Sequence, residues 1–141
     1  MATVRNATTH WEGSLMEGAG RVTLESSGLG THDVTWASRA NDPEGRTSPE
    51  ELIAAAHSAC FSMALSHALA QAGTPPQSLD TSAAVTFQPG EGITGIHLTV
   101  HGVVPGLDAD AFAQAAETAK ANCPVSKALT GTTITLDASL A

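Results

Sequence analysis

The sequence predicts a single α+β domain over residues 1–141, built from two antiparallel β-sheet groups and a central, buried helix that carries a cysteine. Three observations lead to this prediction. The predicted elements follow the order β-β-β-α-β-β-α-β, so strands come in groups instead of alternating with helices. One long apolar segment has clear helix start and stop signals. A chain of 141 residues also suffices for one hydrophobic core.

The N-terminal third predicts three strands. β-branched residues alternate loosely in residues 2–13 and 20–27, on either side of the glycine-punctuated segment GSLMEGAG, and this pattern is typical of a hairpin. The segment DVTWASR predicts a short third strand that ends at Arg39. The polar loop ANDPEGRT then leads to the helix.

The segment SPEELIAAAHSAC begins the central helix. Ser48 is the predicted N-cap, Pro49 takes the first helical position, and Glu51 is placed to complete a capping box. We expect the helix to run from about Pro49 to about Ala72, before Gly73. Its middle is apolar almost all round, which predicts packing on most of its faces.

The C-terminal half predicts a second hairpin, a second helix and a last strand. Residues 79–88 and 92–104 alternate on either side of the turn PGEG, and the helix is expected over about 108–122. The segment CPVSKALTG predicts a short helical turn, and residues 132–140 predict the final strand.

Composition excludes some classes of function. The formal net charge of −8 and the pI near 5.0 argue against binding to nucleic acid or to an anionic membrane surface, since both need a basic patch. We expect neither a membrane span nor a leader segment, and hence a cytoplasmic protein. Charged residues make up 14% of the chain, compared with about 25% in typical soluble domains, which suggests a surface partly hidden in an oligomer.

The two cysteines, Cys60 and Cys123, are too few for a secreted disulfide scaffold and are more typical of redox or catalytic thiols. Cys123 precedes Pro124 at a predicted helix N-terminus, where the helix field favours a thiolate. Cys60 lies about three turns inside its own helix, and burial there raises a thiol pKa. Local chemistry therefore predicts that Cys123 is the more acidic thiol, and that Cys60 needs a cation from elsewhere. Without such a cation, Cys60 would be a core-packing residue.

Five segments together resemble the osmotically inducible protein C / organic hydroperoxide resistance (OsmC/Ohr) family, and in particular its OsmC-like branch. They are HWEG at 10–13, WASR at 36–39, SPEELIAAAHSACFSMALS at 48–66, NCPVSKAL at 122–129 and ITLDASL at 134–140. The resemblance implies an OsmC-like fold, an intertwined homodimer and a thiol-dependent peroxidase of stress defence. Such an enzyme reduces organic hydroperoxides, and hydrogen peroxide less well, with an external dithiol as reductant and no cofactor.

The resemblance also implies residue roles: Cys60 as the peroxidatic thiol, Cys123 as the resolving thiol, and an arginine held by Glu50 as the activating cation. Glu50 stands ten residues before Cys60, about 15 Å of helical rise, so it can act only through that arginine. Arg39 is the arginine expected for the OsmC-like branch. Arg21 is the alternative, because it lies near the position used by the Ohr branch.

Other hypotheses remain open at this stage. The chain could bind a small apolar ligand without turnover, or His57 could pair with Cys60 in a hydrolase. A metal site formed by Cys60, His57 and His67 lacks the close ligand spacing of zinc sites, and a polar neighbour or the rim of the site is the simpler expectation for His57. We expect an apolar wall around Cys60, formed by Ile53, Phe61, Met63 and Leu65 together with residues of a partner chain.

Overall fold

The computed structural model describes residues Met1–Ala141, which form two compact units, Met1–Leu52 and Ile53–Ala141. The strands are β1 Thr8–Glu12, β2 Ala19–Thr23, β3 Thr31–Val34, β4 Ser78–Gln88, β5 Gly92–Val103 and β6 Thr133–Leu140. The helices are α1 Trp36–Ala40, α2 Pro49–Gln71, α3 Ala109–Asn122 and α4 Pro124–Ala128. The α+β class is confirmed, and α1 is an element that the sequence did not predict.

The first unit contains an antiparallel sheet in the order β1-β2-β3, as predicted. The predicted third strand is too long, because β3 ends at Val34 and Arg39 lies on the helix α1. Thr35 caps α1 with its hydroxyl, which accepts from the Ser38 amide at 3.0 Å. The Ser38 hydroxyl reciprocates by accepting from the Thr35 amide at 3.0 Å. This capping box ends the strand and starts the helix.

The sheet of the second unit has the order β4-β5-β6. The hairpin β4–β5 is antiparallel as predicted, whereas β6 runs parallel to β5, so the prediction of antiparallel groups is wrong for the last strand. The chain leaves β5, passes through α3 and α4, and returns as β6. A parallel pair requires such a crossover, and helices commonly supply it.

The helix α2 begins at Pro49, as predicted, and ends at Gln71, one residue before the predicted end. The Ser48 hydroxyl accepts from the Glu51 amide at 3.1 Å, which confirms the N-cap. The Glu51 carboxylate accepts instead from the Thr47 hydroxyl at 2.6 Å. The predicted capping box is therefore only half formed, because the Glu51 side chain contacts Thr47 and not the amide of Ser48.

The part of α2 in the second unit buries one face only. Four residues at four-residue spacing are buried: His57, Phe61, Leu65 and Leu69. Met63 is 72% exposed, and Ala55, Ala56 and Ala59 are exposed as well. The expectation that the helix packs on most of its faces is therefore wrong for the single chain. An amphipathic pattern was absent from the sequence because both faces are apolar.

By length and composition, α2 also meets the requirements for a membrane-crossing helix, with 23 residues and a mean hydropathy of 1.4. One such helix is weak evidence for a membrane span, since the core helix of a soluble protein has the same properties. Only 22% of its apolar window is buried within the chain.

The core of the second unit lies between the sheet and the helices. Phe61 and Leu65 of α2 and Phe112 of α3 are fully buried there. Gly102 on β5 permits the close approach of α3, because a Cβ atom at this position would lie 2.8 Å from Cζ of Phe112. The packed sheet and helices fix the positions of α2 and α4, which carry the two cysteines.

Candidate active site

The structure brings the two cysteines together within the second unit. Cys60 projects from α2, and Cys123 joins the end of α3 to the start of α4. Both are free thiols, Cys60 packs against the core that contains Cys123, and each shifts the pKa of the other. Cys123 is 0% exposed, whereas Cys60 is partly exposed. Cys60 is therefore the more accessible of the two thiols in the single chain.

Cys123 is the acidic thiol of the pair, as its local sequence predicted. Burial raises the pKa of Cys123, but hydrogen bonds from the Ser126 amide, the Cys60 thiol, the Ser126 hydroxyl and the Val125 amide outweigh it, so the pKa lies below its ordinary value. These amide contacts are too weak to form a standard capping bond at Cys123, since sulfur is a weak acceptor. Several weak donors together stabilise the thiolate.

Cys60 has the opposite electrostatics. Burial raises the pKa of the Cys60 thiol, the Val125 amide lowers it, and the neighbouring Cys123 raises it again, so that the pKa lies above its ordinary value. In this arrangement Cys60 is the proton donor of the pair and Cys123 the acceptor. Cys60 becomes a nucleophile only when a positive charge compensates for burial.

His57 lies three residues before Cys60 but is bonded elsewhere. Its Nε2 lies 2.7 Å from Oγ of Ser126, which confirms the expectation of a polar neighbour. The ring is 0% exposed, and burial lowers the pKa of His57 below its ordinary value. The Cys60–His57 pair that a hydrolase would need is therefore not formed. His67 is exposed, and no three His, Cys, Asp or Glu side chains are grouped in a way that could hold a metal ion.

Arg39 and Glu50 meet in the first unit. Nε of Arg39 donates to both carboxylate oxygens of Glu50, at 2.9 and 3.2 Å, and Nη2 lies 2.8 Å from Oε1. The Glu50 side chain is 8% exposed and that of Arg39 31%. The Ser38 hydroxyl fixes this geometry by donating to the Thr47 carbonyl at 3.1 Å, which ties α1 to the residues that precede α2.

The alternative arginine, Arg21, has a different partner. Its Nε lies 3.6 Å from Oδ1 of Asp33, and both side chains are more than half exposed. Arg21 and Asp33 are direct partners in the β2–β3 register, so the pair is a cross-strand contact on the sheet surface. Glu50 thus holds Arg39, which favours Arg39 over Arg21 as the arginine that the resemblance requires.

Arg39 also lines an apolar cavity of about 380 Å³ in the first unit. The other lining residues are Thr9, Trp11, Leu15, Val22, Val34, Thr35, Trp36, Pro49 and Leu52.

The apolar wall expected around Cys60 is only partly found. Phe61 and Leu65, which were expected to form part of it, are 0% exposed and belong to the core. Phe61 and Leu65 follow His57 at intervals of four residues, and this spacing marks the buried face of α2.

Ser126 was not predicted as a site residue from the sequence. It occupies the third position of α4, whose N-cap is Cys123. In a capping box, the side chain at this third position turns back toward the cap. A serine three residues after a Cys-Pro helix start is therefore the signal that could have identified it.

Comparison with known proteins identifies the family. A family model described as OsmC-like protein matches residues 41–137, a range that includes Glu50, Cys60 and Cys123 but not Arg39. Peroxiredoxin OsmC of Escherichia coli (strain K12) is 45% identical over 136 residues, with 94% of each chain covered.

Solved structures share the fold. An organic hydroperoxide resistance protein OsmC from Legionella pneumophila has a TM-score of 0.70 at 22% identity, covering 100% of this chain and 98% of that one. An OsmC-like protein from Mycoplasma pneumoniae has a TM-score of 0.73 at 13% identity, covering 99% of both chains. The chain therefore belongs to the OsmC-like family and is a peroxidase.

Proposed function

We propose that this protein reduces organic hydroperoxides, and hydrogen peroxide less well, with Cys60 as the peroxidatic thiol and Cys123 as the resolving thiol. The observation that carries the proposal is the pair of neighbouring thiols of unequal access, with Cys60 partly exposed and Cys123 buried. The accessible thiol suits attack on a substrate. The buried one suits reaction with its neighbour alone.

The first step is oxidation of Cys60. Its thiolate attacks one oxygen of the hydroperoxide, the O–O bond breaks, and the alkoxide leaves with a proton as alcohol. Cys60 becomes a sulfenic acid, having taken up one oxygen atom and lost two electrons.

The second step closes a disulfide. The Cys123 thiolate attacks Sγ of the sulfenic acid and expels hydroxide, which takes a proton to become water. An external dithiol then reopens the disulfide by two thiol exchanges and is itself oxidised. The balance is one hydroperoxide and one dithiol consumed for one alcohol, one water and one oxidised dithiol, and the cycle needs no prosthetic cofactor.

Arg39 is the cation that we assign to Cys60. A thiol whose pKa is raised by burial needs a nearby positive charge to react at neutral pH. The bonds from Glu50 to Nε and Nη2 restrict the guanidinium to one orientation. In the dimer, each Cys60 receives its own Arg39 from one of the two subunits.

The substrate preference follows from the apolar cavity beside Arg39. A cavity of about 380 Å³ with two tryptophans in its lining fits the organic part of a hydroperoxide. Hydrogen peroxide has no such part and cannot use this contact. The expected difference therefore lies mainly in KM.

The intertwined homodimer is part of the proposal. The exposed apolar face of α2, with Met63 72% exposed, would be costly in water and suits contact with a second copy of the chain. The low content of charged residues, 14%, points the same way. We also place the enzyme in the cytoplasm, where a reducing environment returns both cysteines to thiols.

One second candidate rests on the same cavity. A binding module of this fold could hold a small apolar ligand beside Arg39 without peroxide turnover. The two functions differ in whether the dithiol is consumed.

The test is consumption of cumene hydroperoxide and hydrogen peroxide with dithiothreitol as reductant, by the wild type, Cys60→Ser and Cys123→Ser. We expect turnover by the wild type with a preference for the organic substrate, and none above the uncatalysed rate for Cys60→Ser. A wild type without turnover would favour the binding module. Undiminished turnover by Cys60→Ser would remove Cys60 from the mechanism.

A further inference from the structure

A buried hydrogen bond links α2, which carries Cys60, to α4, whose N-cap is Cys123. His57 of α2 and Ser126 of α4 are 0% and 5% exposed, and Nε2 lies 2.7 Å from Oγ. Ser126 is the third residue of α4, whose N-cap is Cys123, and its hydroxyl lowers the pKa of Cys123. The hydrogen bond of His57 therefore leads through Ser126 toward the resolving thiol and not toward Cys60.

We propose that His57 is a positioning residue for the resolving step, in which its Nε2–H fixes the Ser126 hydroxyl so that the hydroxyl proton points to Cys123 and maintains it as the thiolate that attacks the Cys60 sulfenic acid. This inference rests on the proposed function, in which Cys60 is peroxidatic and Cys123 resolving. Ser126 acts on the reacting sulfur, and His57 acts through Ser126.

The proton count supports this direction of the hydrogen bonds. A serine hydroxyl has one proton, and a neutral imidazole has one N–H. If Ser126 donates to Cys123, the 2.7 Å contact requires Nε2 of His57 to be the donor. Nδ1 is then a lone-pair acceptor, and it is the buried side-chain atom that has no hydrogen-bond partner. The opposite tautomer would bury an N–H donor without an acceptor and would leave the Cys123 sulfur without the serine proton.

Charge on the ring does not explain the arrangement. Burial lowers the pKa of His57, so the ring is neutral at pH 7 and acts through its hydrogen bond. If His57 served packing alone, an apolar residue of similar size could take its place, since the rest of this helix face is formed by Phe61, Leu65 and Leu69. A buried polar ring with one nitrogen lacking a partner is costly for packing alone.

Other groups around Cys123 also lower its pKa, so the Ser126 hydroxyl supplies part of the effect. From α2, Cys60 donates to Cys123, and from α4, the amides of Val125 and Ser126 do so. Lys127 of α4 is exposed, and Lys120 of α3 forms an ion pair with Glu117 at 3.0 Å. The strands packed on this core contribute apolar side chains, which are Leu98 and Val100 from β5 and Ile134 and Leu136 from β6.

The first experiment measures Cys123 ionisation directly, in a Cys60→Ser background, by the pH dependence of the thiolate's ultraviolet absorbance. We expect Ser126→Ala and His57→Leu each to raise the pKa of Cys123, leaving about tenfold less thiolate in the titration range. His57→Gln places an amide N–H near the position of Nε2, so it should restore most of the shift. An identical titration curve in all four proteins would overturn the inference.

The second experiment follows resolution, in proteins that retain both cysteines, by single turnover with one equivalent of cumene hydroperoxide and mass spectrometry of quenched samples. Ser126→Ala and His57→Leu should prolong the Cys60 sulfenic acid about tenfold while its formation changes by less than about twofold. The controls are His67→Asn and Ser58→Ala on the same helix. Equal slowing of both steps would indicate a merely structural role and overturn the inference.

The two levels of the account can fail separately. A wild type that forms no sulfenic acid at Cys60 contradicts the proposed function. An unshifted Cys123 titration contradicts this inference even when the wild type turns over. If His57→Leu does not fold, His57→Asn takes its place, because its shorter amide cannot reach Ser126. A Cys123 titration curve in His57→Asn identical to that of the parent protein would overturn the inference.

Discussion

Glu50 accepts from Arg39 at two nitrogens, with Nε at 2.9 Å and Nη2 at 2.8 Å from the same carboxylate oxygen. The carboxylate lies at the start of α2 and the guanidinium on the short helix α1. The contact buries most of the Glu50 side chain, which is 8% exposed. An arginine held at two nitrogens has a fixed orientation, which a single contact to lysine could not provide.

Replacing Glu50 with Gln should slow oxidation of Cys60. The neutral amide accepts more weakly, so Arg39 loses its fixed orientation and Cys60 loses the stabilisation of its thiolate. We expect the second-order rate constant with cumene hydroperoxide to fall on the order of tenfold to a hundredfold. Stopped-flow measurement of Cys60 oxidation checks this. The control is Arg21→Gln, which removes an exposed pair and should leave the rate constant unchanged; equal loss in both variants would refute the assignment of Arg39.

A charge on the exposed face of α2 should weaken the dimer. Met63 is 72% exposed in the single chain, so Met63→Glu is compatible with its fold. In a homodimer that covers this face, the buried carboxylate lacks a partner and should raise the dissociation constant at least about a hundredfold. Sedimentation velocity over a concentration series checks this. Ala113→Glu adds the same charge at an exposed position of α3 and should not change the association. A wild type that remains monomeric throughout would contradict the dimer.

A methyl group at Gly102 should destabilise the second unit. It would lie 2.8 Å from Cζ of Phe112 and 3.2 Å from Cδ2 of Leu79. We expect Gly102→Ala to lower the free energy of unfolding by about 1–3 kcal/mol, measured by denaturant unfolding. At Gly131 a Cβ atom would meet open space, so Gly131→Ala should change it by less than about 0.5 kcal/mol. Similar losses for both variants would show that crowding against Phe112 is not the cause.

His57 should make the protein less stable in acid. Its pKa in the folded state lies below the value of 6.5 that it has when unfolded, because burial disfavours the charged ring. Between these two values the unfolded chain binds more protons, so the free energy of unfolding falls as pH is lowered from about 6.5, by up to about 1.4 kcal/mol per pH unit. Above that range this contribution is constant.

His57→Gln removes this titration, so its free energy of unfolding should depend less on pH below about 6.5 than that of the wild type. Urea unfolding at a series of pH values measures both slopes. The exposed His67 provides the control, since His67→Gln should retain the slope of the wild type. An unchanged slope in His57→Gln would mean that the buried ring does not control the acid sensitivity.

Much of the fold was predictable because its signals are local. Ser48 and Pro49 mark the start of α2, and alternation marks β4 and β5 to within one residue. The helix α1 was missed because Thr35 and Ser38 act as a reciprocal cap inside a segment whose composition favours a strand. The parallel pairing of β6 was missed because pairing direction depends on the path of α3 and α4, which no local pattern records.

In the candidate site, too, only the features with a local signal were predictable from the sequence. The greater acidity of Cys123 was predictable from its place before Pro124, since helix N-termini favour thiolates. The contact between Arg39 and Glu50 came from the resemblance and not from spacing. The partner of His57 was not predictable, because Ser126 lies 69 residues away along the chain. The exposure of one face of α2 was not predictable, because the helix is apolar on all its faces. The sequence does not distinguish a face covered by the chain itself from one covered by a second copy.

The most direct test of the central claim identifies the cysteine that reacts first. Cys123→Ser and Cys60→Ser are each treated with one equivalent of cumene hydroperoxide, and their peptides are analysed by mass spectrometry with a sulfenic acid trap. We expect one trapped oxidation at Cys60 in Cys123→Ser, and no fast oxidation of Cys123 in Cys60→Ser. Rapid oxidation of Cys123 with Cys60 left reduced would contradict this expectation, because the buried thiol would then be the peroxidatic residue.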